Sequence, residues 1–299
     1  MPPASDQLLD AKAAHRRDIL GAMRRGGFLD AVRIAGARLA RVLEYLESFA
    51  DPRPHADPAR CPDYPLFPGL RSRPVWDEGE LPGVARLREG WQDVRDDWRE
   101  LDPQDMVRYV PPVMRNTWRV QMLSYMGVDL EPFTRRCPRI HALLRQVPGL
   151  CHGYPWADNV LSVHAAKSHL LPHCSVDTLR VRCHLGLAVP ADCGIRVGPE
   201  VRGWTEGGTL LFDDSFEHEV WNRGDGTRAI LIVDFWHPDL TAAEREALAA
   251  GFSHSSVRSL FVEQRAPAAQ PYPHELLAYV RAQMAAQDRS PAVRDYWAG

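Results

Sequence analysis

Lysine is almost missing from this chain: Lys12 and Lys167 stand alone among 36 basic residues. That arginine bias reads mainly as the coding habit of a GC-rich genome, with anionic ligands as the other explanation. There is no basic excess either. The formal net charge of −3 speaks against a general nucleic-acid binder. No segment approaches the roughly 20 apolar residues a bilayer span requires. The N-terminus has no apolar stretch of the kind a signal peptide carries, so a cytoplasmic protein without a membrane span is expected. None of the six cysteines forms a C-x-x-C pair, and in a chain of this size they do not resemble a disulfide framework. Reduced, mostly buried thiols are therefore expected, with Cys174 set apart by its place next to His173. Internal repeats and low-complexity segments are absent as well.

What is present suits a folded domain. The 299 residues, 45% hydrophobic and 25% charged, have the balance of a globular protein able to bury a sizeable core. From Asp6 to Phe49 the chain reads as helix, interrupted at Gly26-Gly27. Residues 51–74 are proline-rich and predict an irregular surface segment. Helical character returns at Gly83–Arg99 and Pro132–Arg145. It appears again at Thr241–Ala250, where Thr241 with Glu244 three residues on forms a capping box.

Between Asn159 and Trp236 the pattern becomes short strands separated by turns. In Leu179–Val189 the apolar residues Leu179, Val181, Cys183, Leu185, Leu187 and Val189 fall on one face. Arg180, Arg182, His184 and Gly186 fall on the other. Val160–His164, Thr209–Phe212, Glu217–Asn222 and Arg228–Trp236 are further strands. The expectation is a mainly β fold with flanking helices, its core a double-stranded β-helix of jelly-roll or cupin-like type. It divides into an N-terminal helical extension (1–50), the jelly-roll domain (51–240) and a C-terminal helical tail (241–299) packed on the same domain.

Seven of the 12 histidines lie between His152 and His237, and a sheet core does not need them for packing. Surface histidines on polar strand faces would explain them blandly. His173, in Leu-Leu-Pro-His173-Cys-Ser, and His218, in Phe-Asp-Asp-Ser-Phe-Glu-His218-Glu-Val-Trp, are candidate metal ligands that a jelly roll can bring together. Imidazole suits Fe(II), and the usual non-haem site adds one carboxylate. Two residues after the first histidine, where that carboxylate would stand, this chain has Ser175, and the spacing of Asp177 is wrong.

Phe67-Pro-Gly-Leu70, Pro74-Val-Trp-Asp77, the run ending at Pro172-His173, Arg182-Cys-His-Leu-Gly-Leu187, Leu211-Phe-Asp-Asp-Ser-Phe-Glu-His-Glu-Val-Trp221 and Ile232-Val-Asp-Phe-Trp-His-Pro238 together resemble the catalytic domain of aspartyl/asparaginyl β-hydroxylases. The similarity runs from about Phe67 to Leu240. Members of that family also lack the carboxylate ligand, usually having glycine where Ser175 stands, which leaves water for the third position.

The resemblance implies His173 and His218 as iron ligands and Arg228 as the anchor for the distal carboxylate of 2-oxoglutarate. A planar guanidinium can grip a carboxylate with two parallel hydrogen bonds. Arg182, His184, Ser162 and Trp118 match further cosubstrate-pocket positions; His169 is matched without a role. Asp213, Asp214 and Glu217 either orient the ligands or simply form the turn. The implied activity is that of an Fe(II)- and 2-oxoglutarate-dependent dioxygenase, using O2 to hydroxylate an unactivated carbon. The β-carbon of an aspartyl or asparaginyl unit in a small molecule or peptide comes first. A lipid acyl chain or other small molecule, halogenation, and a non-catalytic cupin-like sensor are the alternatives. Vertebrate members carry a membrane anchor and helical repeats not found here, so their protein substrates are not carried over.

Overall fold

In the computed structural model, residues 5–51, 57–109, 111–262 and 273–298 are described. Two antiparallel sheets face each other. The larger has seven strands, in spatial order Val75–Trp76, Thr209–Phe212, Arg180–Ala188, Arg228–Trp236, Asn159–His164, Trp118–Met122 and Val107–Tyr109. The smaller has five, in the order Glu200–Arg202, Cys193–Val197, His218–Asn222, Ser168–His173 and Met114–Arg115. The jelly roll expected from the strand pattern is present. Strands Thr209–Phe212 and Arg228–Trp236 keep their expected bounds, and the others shift by a residue or two.

Period-2 alternation decides which side chains face the lumen. Along the 180–188 strand the apolar set Val181, Cys183, Leu185 and Leu187 packs outward. There it meets Val84, Leu87, Val94, Ile140 and Leu143 of the helices Gly83–Glu89, Trp91–Glu100 and Pro138–Leu144. The polar set therefore points into the barrel rather than into solvent. Residues 228–236 are buried throughout, because one face lines the lumen and the other lies under the helices.

Gly27, at φ 77°, separates the helices Ser5–Arg25 and Phe28–Ile34, as Gly26-Gly27 suggested. The terminal helices pack on one another: Phe28 lies 5.3 Å from Trp297, and the Ala298 N–H donates to Gly26 O at 2.9 Å. They share one hydrophobic cluster with the barrel interior. The capping box at Thr241 and Glu244 forms as expected, opening the helix Ala242–Ser253.

One expectation is refined and another corrected. The described part of the proline-rich stretch is irregular and largely at the surface, as expected, but it also anchors in the core: Tyr64 and Phe67 are buried, and Tyr64 N–H donates to Val176 O at 2.8 Å. Residues 52–56 lie outside the described residues. The cysteines are not all thiols. Cys61 and Cys174 are disulfide-bonded, with Cα atoms 5.7 Å apart across a sequence separation of 113. The pairing was not legible because the two residues meet only when residues 59–64 lace along the strand ends at Ser215, Glu217 and Val176. Cys137, Cys151, Cys183 and Cys193 are free.

Candidate functional site

His173 ends one strand of the smaller sheet and His218 begins its neighbour, and the two are direct cross-strand partners. Their ring centroids are 4.2 Å apart. Each ring is fixed by its own backbone. His173 Nδ1 bonds Leu171 O at 2.7 Å, and His218 Nδ1 bonds Phe216 O at 2.9 Å. A carbonyl oxygen can only accept, so each Nδ1 carries the proton and each Nε2 is left with its lone pair. That is the state a metal requires of imidazole, with the orienting contact already in place. Burial and the neighbouring His173 push His218 down to about 3, and burial lowers His173 too. Both rings are neutral at pH 7.

No third ligand joins them. Ser175 Oγ accepts from the Arg180 guanidinium. Asp177 is fully buried and accepts from Tyr154 Oη and Leu179 N, both at 2.9 Å. Among the described residues, no group of three or more His, Cys, Asp or Glu side chains is arranged to hold a metal. The donor set fits a metal centre with two protein imidazoles and the remaining positions open.

Deeper in the lumen, Arg228 is 1% exposed and has no acidic partner among the described residues. Its Nη2 contacts Ser162 Oγ at 3.4 Å, while Nε and Nη1 make no hydrogen bond. Burial lowers its proton affinity to about 10, which still leaves it a cation. A buried guanidinium with two unused donors is costly alone, and an anionic ligand would satisfy it. Trp118 Nε1 donates to the same Ser162 Oγ at 3.0 Å. His184 is buried with neither ring nitrogen bonded, and it stacks on Trp204 at 5.9 Å. Arg228, Ser162 and Trp118 are thus linked through the Ser162 hydroxyl, and Arg228 and His184 through Trp204.

Arg182 is committed differently. It holds Asp234 through Nε at 2.9 Å and Asp158 at 2.6 Å, with Asp214 at 3.3 Å. Arg180, on the same face, reaches Asp214 at 2.8 Å and Asp234 at 3.1 Å. Burial alone would raise Asp214, but these two arginines hold it at about 2. Its Oδ1 makes no hydrogen bond. Asp213 does form the turn, accepting from Ser215 N at 2.9 Å. Glu217 pairs with Arg196 at 2.9 Å, and His169 with Glu219 at 2.9 Å; neither contacts the histidine pair.

Three contributors were not singled out from sequence. Alternation already placed Arg180 beside Arg182, which is the signal for it. His164 neighbours Arg228 in register and meets Trp118 edge-on at 5.2 Å. Trp204 lies under the Arg228 guanidinium at 4.7 Å. Trp204 gives no local signal: it arrives on a loop that approaches closely because Gly186 has no Cβ to strike Thr205 O.

The pH response follows from these rings. His164 and His184 are pushed well below 6.5 by burial and by Arg228. A histidine with a lowered folded value takes up protons preferentially when unfolded, so stability held above pH ~6.5 is lost as pH falls toward the folded value. Metal-free protein is expected to lose about 2 kcal/mol through His218 alone between pH 6.5 and 5. Urea denaturation across that range checks this; His218→Phe should flatten the slope, and an already flat wild-type profile would refute it.

Two facing antiparallel sheets with a pair of neutral imidazoles at their strand ends and a buried guanidinium between them define a jelly-roll protein with a candidate ligand site. The chain belongs to the aspartyl/asparaginyl beta-hydroxylase family, whose sequence pattern matches residues 88–238. It is 33% identical over 190 residues to human aspartyl/asparaginyl beta-hydroxylase, covering 61% of this chain and 25% of that protein. It is 37% identical over 139 residues to aspartate beta-hydroxylase domain-containing protein 2 of Xenopus tropicalis, covering 46% of this chain and 38% of the relative. The chain therefore spans less than half the length of these relatives. Among solved structures it is distantly similar to a 2OG-Fe(II) oxygenase family oxidoreductase from Burkholderia pseudomallei. The TM-score there is 0.36 at 14% identity, over 56% of this chain and 95% of the other. No helix among the described residues is long and apolar enough to cross a membrane.

Proposed function

We propose that this protein is an Fe(II)- and 2-oxoglutarate-dependent dioxygenase that hydroxylates an unactivated carbon, with His173 and His218 as the metal ligands. The observation that carries the reading is the buried, uncompensated Arg228 beneath two imidazoles whose Nε2 atoms are free. When bound, iron with 2-oxoglutarate and O2 supplies the oxidation: the cosubstrate becomes succinate and CO2, one oxygen atom entering succinate and the other a C–H bond.

The chain's own residues bind, orient and shield. Arg228 holds the distal carboxylate of the cosubstrate, with Ser162 Oγ as a further polar contact. Trp118 and Trp204 keep water from that end, which strengthens the ion pair. Arg180 and Arg182 fix the Asp214 carboxylate beside the histidine pair. The family name points to an aspartyl or asparaginyl β-carbon as the reacting position.

Succinate formation from 2-oxoglutarate, with and without Fe(II), tests the proposal; a sensor would bind the cosubstrate without consuming it. Arg228→Ala is expected to weaken cosubstrate use on the order of 10²-fold, because it removes one partner of a desolvated charge pair. Wild-type cosubstrate affinity in that variant would overturn the assignment.

A further inference from the structure

We infer that the Cys61–Cys174 disulfide is a covalent brace on the histidine pair, and that its opening by a dithiol weakens the metal site. The inference rests on the proposed reading of His173 and His218 as ligands. Cys174 follows His173 in the chain and lines a cavity of about 240 Å³ beside the pair. Cys61, at the other end of the bond, belongs to a segment laid along the backbone that leads into His218. Arg60 bridges Phe216, Cys61 N–H donates to Ser215 O at 3.1 Å, and Glu217 N–H donates to Ala59 O at 2.7 Å. Phe216 is the residue whose carbonyl orients the His218 ring. A path of bonds thus runs from one imidazole, through the disulfide, to the backbone that holds the other.

A brace counts for more here than at a site with three or four protein ligands. With two imidazoles alone, affinity depends on both Nε2 atoms being held ready at one spacing, because any freedom in either must be given up on binding. The strand pairing cannot supply all of that rigidity. It ends at His173 and His218, and its register shifts between His218 and Val220.

The bond is also placed to be opened. Cys61 is exposed and Cys174 half-buried, whereas Cys137, Cys151 and Cys183 are buried thiols. A thiolate of the dithiol attacks the Cys61 sulfur, and Cys174 leaves. The second sulfur of the reagent then closes the reagent's own disulfide and releases Cys61. One S–S bond breaks in the protein and one forms in the reagent; two electrons and the dithiol's two protons end on Cys61 and Cys174. The segment stays docked through buried Tyr64 and through Arg60, which holds Ser215 Oγ at 3.1 Å. The fold therefore survives while the tie between the ligands is lost.

The test uses the full chain with Co(II) as the probe metal, titrated by its visible absorption well below the Tm of either form. Wild type is measured oxidised, again after reduction with dithiothreitol and its removal by anaerobic gel filtration, and once more after reoxidation. Thiol titration of the unfolded chain reports the state of the bond. Reduction is expected to lower Co(II) affinity by about 10–100-fold, the usual cost of disturbing the support of a metal ligand. Reoxidation should restore it, and Cys61→Ser and Cys174→Ser should each match the reduced protein and ignore the dithiol. A disulfide that only staples the fold would lower Tm and leave the affinity of the folded protein unchanged, and that result would overturn the inference. Tighter binding after reduction, as when a freed thiol fills the open metal position, would overturn it too. Absence of Co(II) binding in oxidised wild type, or binding that survives His218→Ala, would instead sink the two-histidine reading and the brace with it.

Discussion

Alanine at His173 or His218 is expected to abolish Fe(II)-dependent succinate formation. Losing an outer-shell partner of a ligand typically weakens a metal site about 10–100-fold; losing one of only two protein ligands should exceed that. Neither Ser175 nor Asp177 can step in. Ser175 is tied to Arg180, and Asp177 is held by Tyr154 and Leu179. The deletion would also free a backbone carbonyl that now orients the ring. Metal titration of each variant separates lost binding from lost turnover. His169→Ala is the control, because that imidazole pairs with Glu219 and does not join the histidine pair; it should retain wild-type turnover. Substantial iron-dependent activity in either ligand variant would remove the basis for the proposed chemistry.

The second large effect concerns stability. Arg180→Met should destabilise the fold by about 3–5 kcal/mol, the usual result of removing one member of a buried ion network. Asp177, Asp214 and Asp234 would be left with less compensation, and all three are at most 1% exposed. Arg182 could offset part of the loss, since it also reaches Asp214 and Asp234. In a protein of this size that is a drop in Tm of about 10 °C, measurable by calorimetry. Arg71→Ala is the contrast. Arg71 pairs with Asp239 at 2.7 Å, but its side chain is 55% exposed, and such screened surface pairs contribute little. Equal effects from the two substitutions would contradict the buried network as a stabilising element.

Much of the site was legible because its residues sit in local patterns. Strand alternation grouped Arg180, Arg182 and His184 on one face before any contact was known. The motif around His218 and the position of Arg228 identified two further strands carrying site residues. What alternation could not say was which face is inside. In an isolated sheet the arginine face would be solvated; here the helices at residues 83–100 and 138–144 claim the apolar face and turn the charged one inward.

By itself, then, the sequence determined the strand periods, the capping box at Thr241 and the chemical types of the candidate site residues, because these depend on neighbours a few residues apart. Only the tertiary structure decided that Cys61 pairs with Cys174, that Trp204 lies under Arg228, and that Arg180 and Arg182 are already matched by aspartates. Those contacts join residues about 20 to more than 100 positions apart. They are set by how the two sheets close and which loops the closure brings down, and no local pattern encodes that.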